Sequence, residues 1–142
     1  MQGTSVPVLI FAAVAAFVSS VLWYAAFGGM MAELRGPAVA APEPRSQMLA
    51  MLFVVAQSLV VAFLGAYLAS RLGISGPAGA AGLGALVWIF PAAILLGSVV
   101  HEGVPLALAS IHAGDWLVKL LIIAAIVGAW RQAPHEAIHR TT

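Results

Sequence analysis

Charged residues punctuate this chain at wide intervals, and the stretches between them are apolar. Acids fall at Glu33, Glu43, Glu102, Asp115 and Glu136, and bases at Arg35, Arg45, Arg71, Lys119, Arg131 and Arg140. A run of ~20 mostly apolar residues crosses a bilayer as a helix. The pattern predicts four such spans, over about 6–29, 47–70, 78–100 and 106–130. The first is expected to be retained rather than cleaved as a signal peptide. No Lys or Arg precedes it, its apolar run exceeds the ~7–15 residues of a signal core, and it ends in Trp23, Tyr24 and Phe27.

The connections follow from the breakers. Met30 to Ser46 carries Gly36, Pro37, Pro42 and Pro44 and reads as extended chain, with a short interfacial turn expected over Met30–Leu34. Leu72 to Pro77 is a tight turn, and His101 to Pro105 is another. The third span opens with small residues four apart, Ala78/Gly82, Ala80/Gly84 and Ala81/Ala85. Such pairs let helices approach closely in a membrane. Pro91, mid-span, frees the carbonyl of Val87, which a neighbour or water must satisfy. Residues 131–142 form a polar tail. The fold class is therefore all-α, one integral membrane bundle of four transmembrane helices over 1–130, running up-down-up-down.

Four spans put both termini on one side. That side carries Arg71, Arg131, Arg140 and the terminal amine, against Arg35 and Arg45 on the other. The excess of basic residues favours termini in the cytoplasm.

Composition removes whole classes of function. Hydrophobic residues make up 63% and charged residues 8% of the 142, with a mean hydropathy of +1.06. A soluble domain holds ~25% charged residues. A net charge of +1 offers no field for a nucleic-acid backbone, and the absence of cysteine removes disulfides, thiolate metal sites and cysteine catalysis. No nucleophile elbow, P-loop, dinucleotide turn or zinc-protease helix is present, so no enzyme is expected.

The fourth span holds the least expected residues. His112, Asp115 and Lys119 lie at i, i+3 and i+7, within roughly 60° of arc on one helix face. A charge near the bilayer centre costs ~2.5–3.5 kcal/mol even on the lenient insertion scale. Asp115 and Lys119 are spaced i, i+4 with the acid first, the better order for a helical ion pair. The stripe reads either as a proton or ion relay with His112 as its titrating member, or as a self-neutralising pair buried against other helices. Gln57, at similar depth in the second span, is the expected partner of the stripe. Ser19, Ser20 and Ser58 read either as hydrogen-bonding across helices, for about 1 kcal/mol or less each, or as bonding back to their own helices. Trp23, Tyr24 and Trp130 suit a membrane-interface belt, while Trp88 and Trp116 suit the bundle interior. Ala107, Ser110, Gly114, Ala125 and Gly128 form a small face for close packing. His101 and His112, on adjacent helices, are candidate haem or metal ligands, and His135/His139 in the tail are a spaced pair that reads first as solvated.

Two sequence blocks carry a family resemblance. One is Val21-Leu22-Trp23-Tyr24 followed by Phe27-Gly28. The other runs from Glu102-Gly103 through Pro105-Leu106-Ala107-Leu108 and Ile111-His112-Ala113-Gly114 to Ala125-Ile126-Val127-Gly128-Ala129-Trp130. With the four-span layout, the chain resembles domain of unknown function family 1761, small bacterial four-span membrane proteins. The resemblance implies the fold and a bacterial inner (plasma) membrane, and carries no activity. His112 and Asp115 stand where that family's pattern has Asn and Tyr, and Lys119 is unusual there. Three functions are open to the sequence. The first is an oligomeric or accessory subunit of a membrane complex, with homo-oligomers, partner subunits and lipid as its contacts. The second is a proton, ion or small-solute transporter or channel lined by His112, Asp115 and Lys119. The third is a haem- or pigment-binding protein. No cofactor is required by the first two.

Overall fold

A computed structural model describes residues 5–36 and 44–139, with the side chains of 45–131 and 5–36. The chain is a multi-pass membrane protein built of four helices, each long and apolar enough to cross a bilayer. They are α1 (Val6–Arg35), α2 (Pro44–Arg71), α3 (Pro77–Glu102) and α4 (Leu106–His139). Prolines open α1, α2 and α3 within their first turns, where the missing N–H has no helical acceptor to lose.

The ends differ from the sequence reading where helix propensity outweighs expectation. Met30–Leu34 is not a separate turn. Met-Met-Ala-Glu-Leu-Arg is a run of strong helix formers, and α1 continues through it to Arg35. It stops at Gly36, whose φ of 75° is a backbone conformation that favours glycine. Likewise α4 runs past Arg131 into the polar tail. The side chains of His135 and His139, and residues Glu43 and Arg140, lie outside those described. The α2–α3 turn closes with the Ile74 N–H on Ala69 O at 2.9 Å, and the α3 end with the Val104 N–H on Ser98 O at 3.3 Å. Both use a left-handed glycine, Gly73 or Gly103, the usual way to satisfy a helix's last carbonyls.

The helix α4 is the organising element. It packs along α3 on one flank and antiparallel to α1 on the other, while α2 lies on α1 and touches α3 and α4 only lightly. Small residues make this possible. Ala12, Ala13 and Ala16 of α1, Ala62 and Ala66 of α2, and Ile123 and Val127 of α4 form a core with almost no exposed surface. Ala80 and Gly84 of α3 are buried against α4, whereas Ala78 and Gly82 face outward.

Candidate functional site

The site is built where α1 crosses the first half of α4. Asp115 and Lys119 are both buried, at 3% and 2% exposure. Their depth follows from helix rise. At 1.5 Å per residue they stand roughly 13 and 20 Å from the start of α4. Lys119 Nζ lies 3.3 Å from Asp115 Oδ2, the pairing that the i, i+4 spacing predicts. The ammonium also sits 5.2 Å from the centre of the Trp116 ring, a cation–π contact that is strongest when desolvated.

The rest of the site comes from α1. Ser20 Oγ–H donates to Asp115 Oδ1 at 2.6 Å. The Tyr24 hydroxyl lies 3.2 Å from Asp115 Oδ2 and 2.9 Å from His112 Nδ1. A phenol has one proton, and an ionised carboxylate can only accept. With the Tyr24 proton on Asp115, His112 must carry its own proton on Nδ1 and donate to the phenolic oxygen. The result is one unbroken chain, His112 to Tyr24 to Asp115 to Lys119, with Ser20 bonded at its side. His112 is half-buried, so the chain begins near the bundle end where α1 finishes and α4 starts. Beyond Lys119 lies the apolar, buried core of Ala12, Ala13, Ala16, Ala62, Ala66, Ile123 and Val127, which offers the chain no further polar group.

Two indoles fix the frame. Trp23 Nε1–H donates to Ile111 O at 3.0 Å from α1, and Trp88 Nε1–H donates to Ala113 O at 2.7 Å from α3. One turn of α4 is thereby held from both flanks, directly beside His112 and Asp115. Trp23 also lies against Gly114, where a Cβ would come within 2.5 Å of the ring.

Several sequence expectations change. Gln57 is not the partner of the stripe. It is half-buried on α2 and forms no hydrogen bond with the site residues, because α1 rather than α2 occupies the polar face of α4. The two readings of the serines divide: Ser20 bonds across to α4, whereas Ser19 bonds Ala16 O and Ser58 bonds Val54 O, both at 2.8 Å. Trp23 and Tyr24, besides their place at the end of a span, hydrogen-bond to α4, and Trp130 is half-exposed. Trp88 and Trp116 are only partly buried. Of the small face, Gly114 and Gly128 make close contacts, while Ala107, Ser110 and Ala125 are exposed. His101 is exposed in the last turn of α3, and no hydrogen bond or ring contact joins it to His112. Among the described residues no three His, Asp or Glu side chains converge on a metal position.

The sequence does contain a signal for the missed α1 residues. Ala12, Ala16 and Ser20 are small residues at successive intervals of four, the spacing of a close-packed membrane helix face, and Tyr24 continues that stripe.

No curated protein and no solved structure matches this chain. A family model described as a protein of unknown function does match, over residues 7–128, from the first turn of α1 to the last membrane turn of α4. The chain therefore belongs to that family, DUF1761.

Proposed function

We propose that the protein is a small proton-handling transporter of the bacterial inner membrane, in which Asp115 is the proton-binding group and His112 with Tyr24 its entry. The observation that carries this reading is the unbroken hydrogen-bonded chain from His112 to Lys119. A purely structural clamp has no need of it, since a buried ion pair is often matched or bettered by apolar residues of like volume. Ionisable groups at this depth mark proton or ion pathways.

The proton steps balance along the chain. A proton arrives at His112 Nε2, the Nδ1 proton passes to the Tyr24 oxygen, and the Tyr24 proton passes to Asp115 Oδ2. His112 ends neutral in its other tautomer, Tyr24 is restored, and Asp115 is a neutral acid. Lys119 then has lost its counter-ion, which supplies a driving force for rearrangement at the α1–α4 contact. The small-residue core beyond Lys119 makes this a closed site on a carrier and not an open pore. With the termini in the cytoplasm, the His112 end, with Arg35 three turns beyond Tyr24, faces outward.

The test is proton uptake by liposomes holding the purified protein and a trapped pH dye, driven by a pH step. Wild type should acidify the lumen well above empty liposomes. Tyr24→Phe, which cuts the chain between His112 and Asp115, should fall to the background rate while remaining folded. Equal rates for wild type and Tyr24→Phe would reject the relay.

A second reading, an oligomeric subunit, draws support from a separate observation. Of the four helices, α2 and α3 bury the least of their apolar length inside the chain, and Ala78 and Gly82 offer an open small-residue face on α3. If that face is shared, native mass spectrometry from lipid nanodiscs should return a multiple of 14.6 kDa. A monomer mass with no co-purifying protein would reject it.

A further inference from the structure

The site already described uses α1 and the facing side of α4. The other side of α4 borders a separate feature, a cleft of about 170 Å³ between α2, α3 and α4. It is larger than the ~150 Å³ apolar cavity that accepts a benzene molecule. Every residue lining it is apolar, and its walls run from Pro91 and Trp116 at one end to Ala80 and Val127 at the other. The eleven steps of helix rise from Trp116 to Val127 span roughly 16 Å, so the cleft is elongated along the bundle axis. It opens sideways because α2 and α3 diverge after their short turn and scarcely touch.

A second observation says what enters. At the Val127 end of the cleft, Arg131 Nε–H donates to Ile74 O at 3.0 Å, while its Nη1 is buried without a hydrogen-bond partner among the described residues. Arg71, the last residue of α2, is exposed at the same end. The described carboxylates are Glu33, Glu102 and Asp115, and none lies at this end of the bundle. The site thus joins an apolar slot to a cationic mouth in which, among the described residues, Arg131 Nη1 has no hydrogen-bond partner. A guanidinium presents its N–H groups as a fork that fits a phosphate.

We propose that this cleft holds one anionic glycerophospholipid, with an acyl chain between α2, α3 and α4 and the phosphate on Arg131, assisted by Arg71. A free phosphate would leave the slot empty. In the orientation favoured by the basic residues, the mouth faces the cytoplasmic leaflet, where anionic headgroups attract such clusters.

The experiment is native mass spectrometry of the full chain released from mild detergent, after incubation with phosphatidylglycerol or phosphatidylcholine of the same acyl composition. Wild type should retain one phosphatidylglycerol at collision energies that strip phosphatidylcholine, and millimolar inorganic phosphate should not displace it. Arg131→Gln should cut phosphatidylglycerol retention about tenfold and remove the headgroup preference, while Arg131→Lys should keep part of it. Leu68→Trp, filling the slot from α2, should lower retention of both lipids. Equal retention of the two lipids by wild type needs no variant and would overturn the proposal. So would displacement by phosphate alone, or unchanged binding in a folded Arg131→Gln protein. The assay reads no proton movement, so its outcome is independent of the relay.

Discussion

Lys119→Met and Asp115→Leu should each lower the stability of the protein in mild detergent by about 3–5 kcal/mol, the usual cost of stranding one member of a buried ion pair. The two losses should not be equal. Without Lys119, Asp115 keeps the hydroxyls of Ser20 and Tyr24 as donors, or takes up a proton and becomes neutral. Without Asp115, Lys119 keeps only the face of Trp116, and its ammonium, which only donates, loses the carboxylate that accepts from it. Asp115→Leu should therefore fall at the upper end of the range and Lys119→Met at the lower. The double variant should be more stable than Asp115→Leu alone, because no charge is then stranded. Thermal or denaturant unfolding of the four proteins gives the coupling as a double-mutant cycle. Additive losses would show that the two groups do not depend on each other, and the chain from His112 would then end at Asp115.

The pairing of Asp115 with Lys119 is legible in the sequence, and its setting is not. The i, i+3, i+7 spacing of His112, Asp115 and Lys119 places them on one face whatever surrounds the helix, because helix geometry alone fixes that relation. Four apolar runs likewise give four spans, since no other backbone arrangement of such runs satisfies its polar groups in lipid. Which neighbour covers the polar face depends on packing between helices far apart in sequence. Gln57 was favoured by its depth and its amide. Ser20 and Tyr24 take that position because they continue the stripe of Ala12 and Ala16, which packs α1 into the core against Ile123 and Val127 of α4, while α2 meets α4 only lightly. The stripe that seats Ser20 and Tyr24 is thus written in alanines, which carry no chemistry of their own and which α2 also presents at Ala62 and Ala66. The Trp23 and Tyr24 roles were obscured for a related reason. Aromatic residues at a span's end suit the interface and an interhelical hydrogen bond equally well, and only the position of α4 decides between them.

The glycines of α3 and α4 should separate into a graded series when each is replaced by alanine. Gly128→Ala is expected to cost the most, about 3 kcal/mol or somewhat more, the upper range for overpacking a tight contact. Its new Cβ would stand 2.6 Å from Gly76 O and 2.8 Å from Ala80 Cβ. Neither neighbour can rotate away, because one is backbone and the other is fixed to it. Gly76 O also accepts the Ala80 N–H at 3.2 Å, so moving it disturbs the first turn of α3. Gly114→Ala meets the Trp23 ring at 2.5 Å, but a ring can tilt at the expense of its hydrogen bond to Ile111 O, so about 1–3 kcal/mol is expected. Gly84→Ala meets Leu120 O at 3.2 Å and Ala124 Cβ at 3.3 Å, a misfit of a few tenths of an ångström, and should cost less than either. Gly82→Ala meets nothing within 4 Å and should gain up to about 1 kcal/mol from helix propensity. Unfolding in detergent measures all four. A Gly128→Ala protein as stable as Gly82→Ala would mean that α3 and α4 do not meet at Gly76 and Ala80. The anchorage of Arg131 on Ile74 O, one turn from Gly128, would then fail with it.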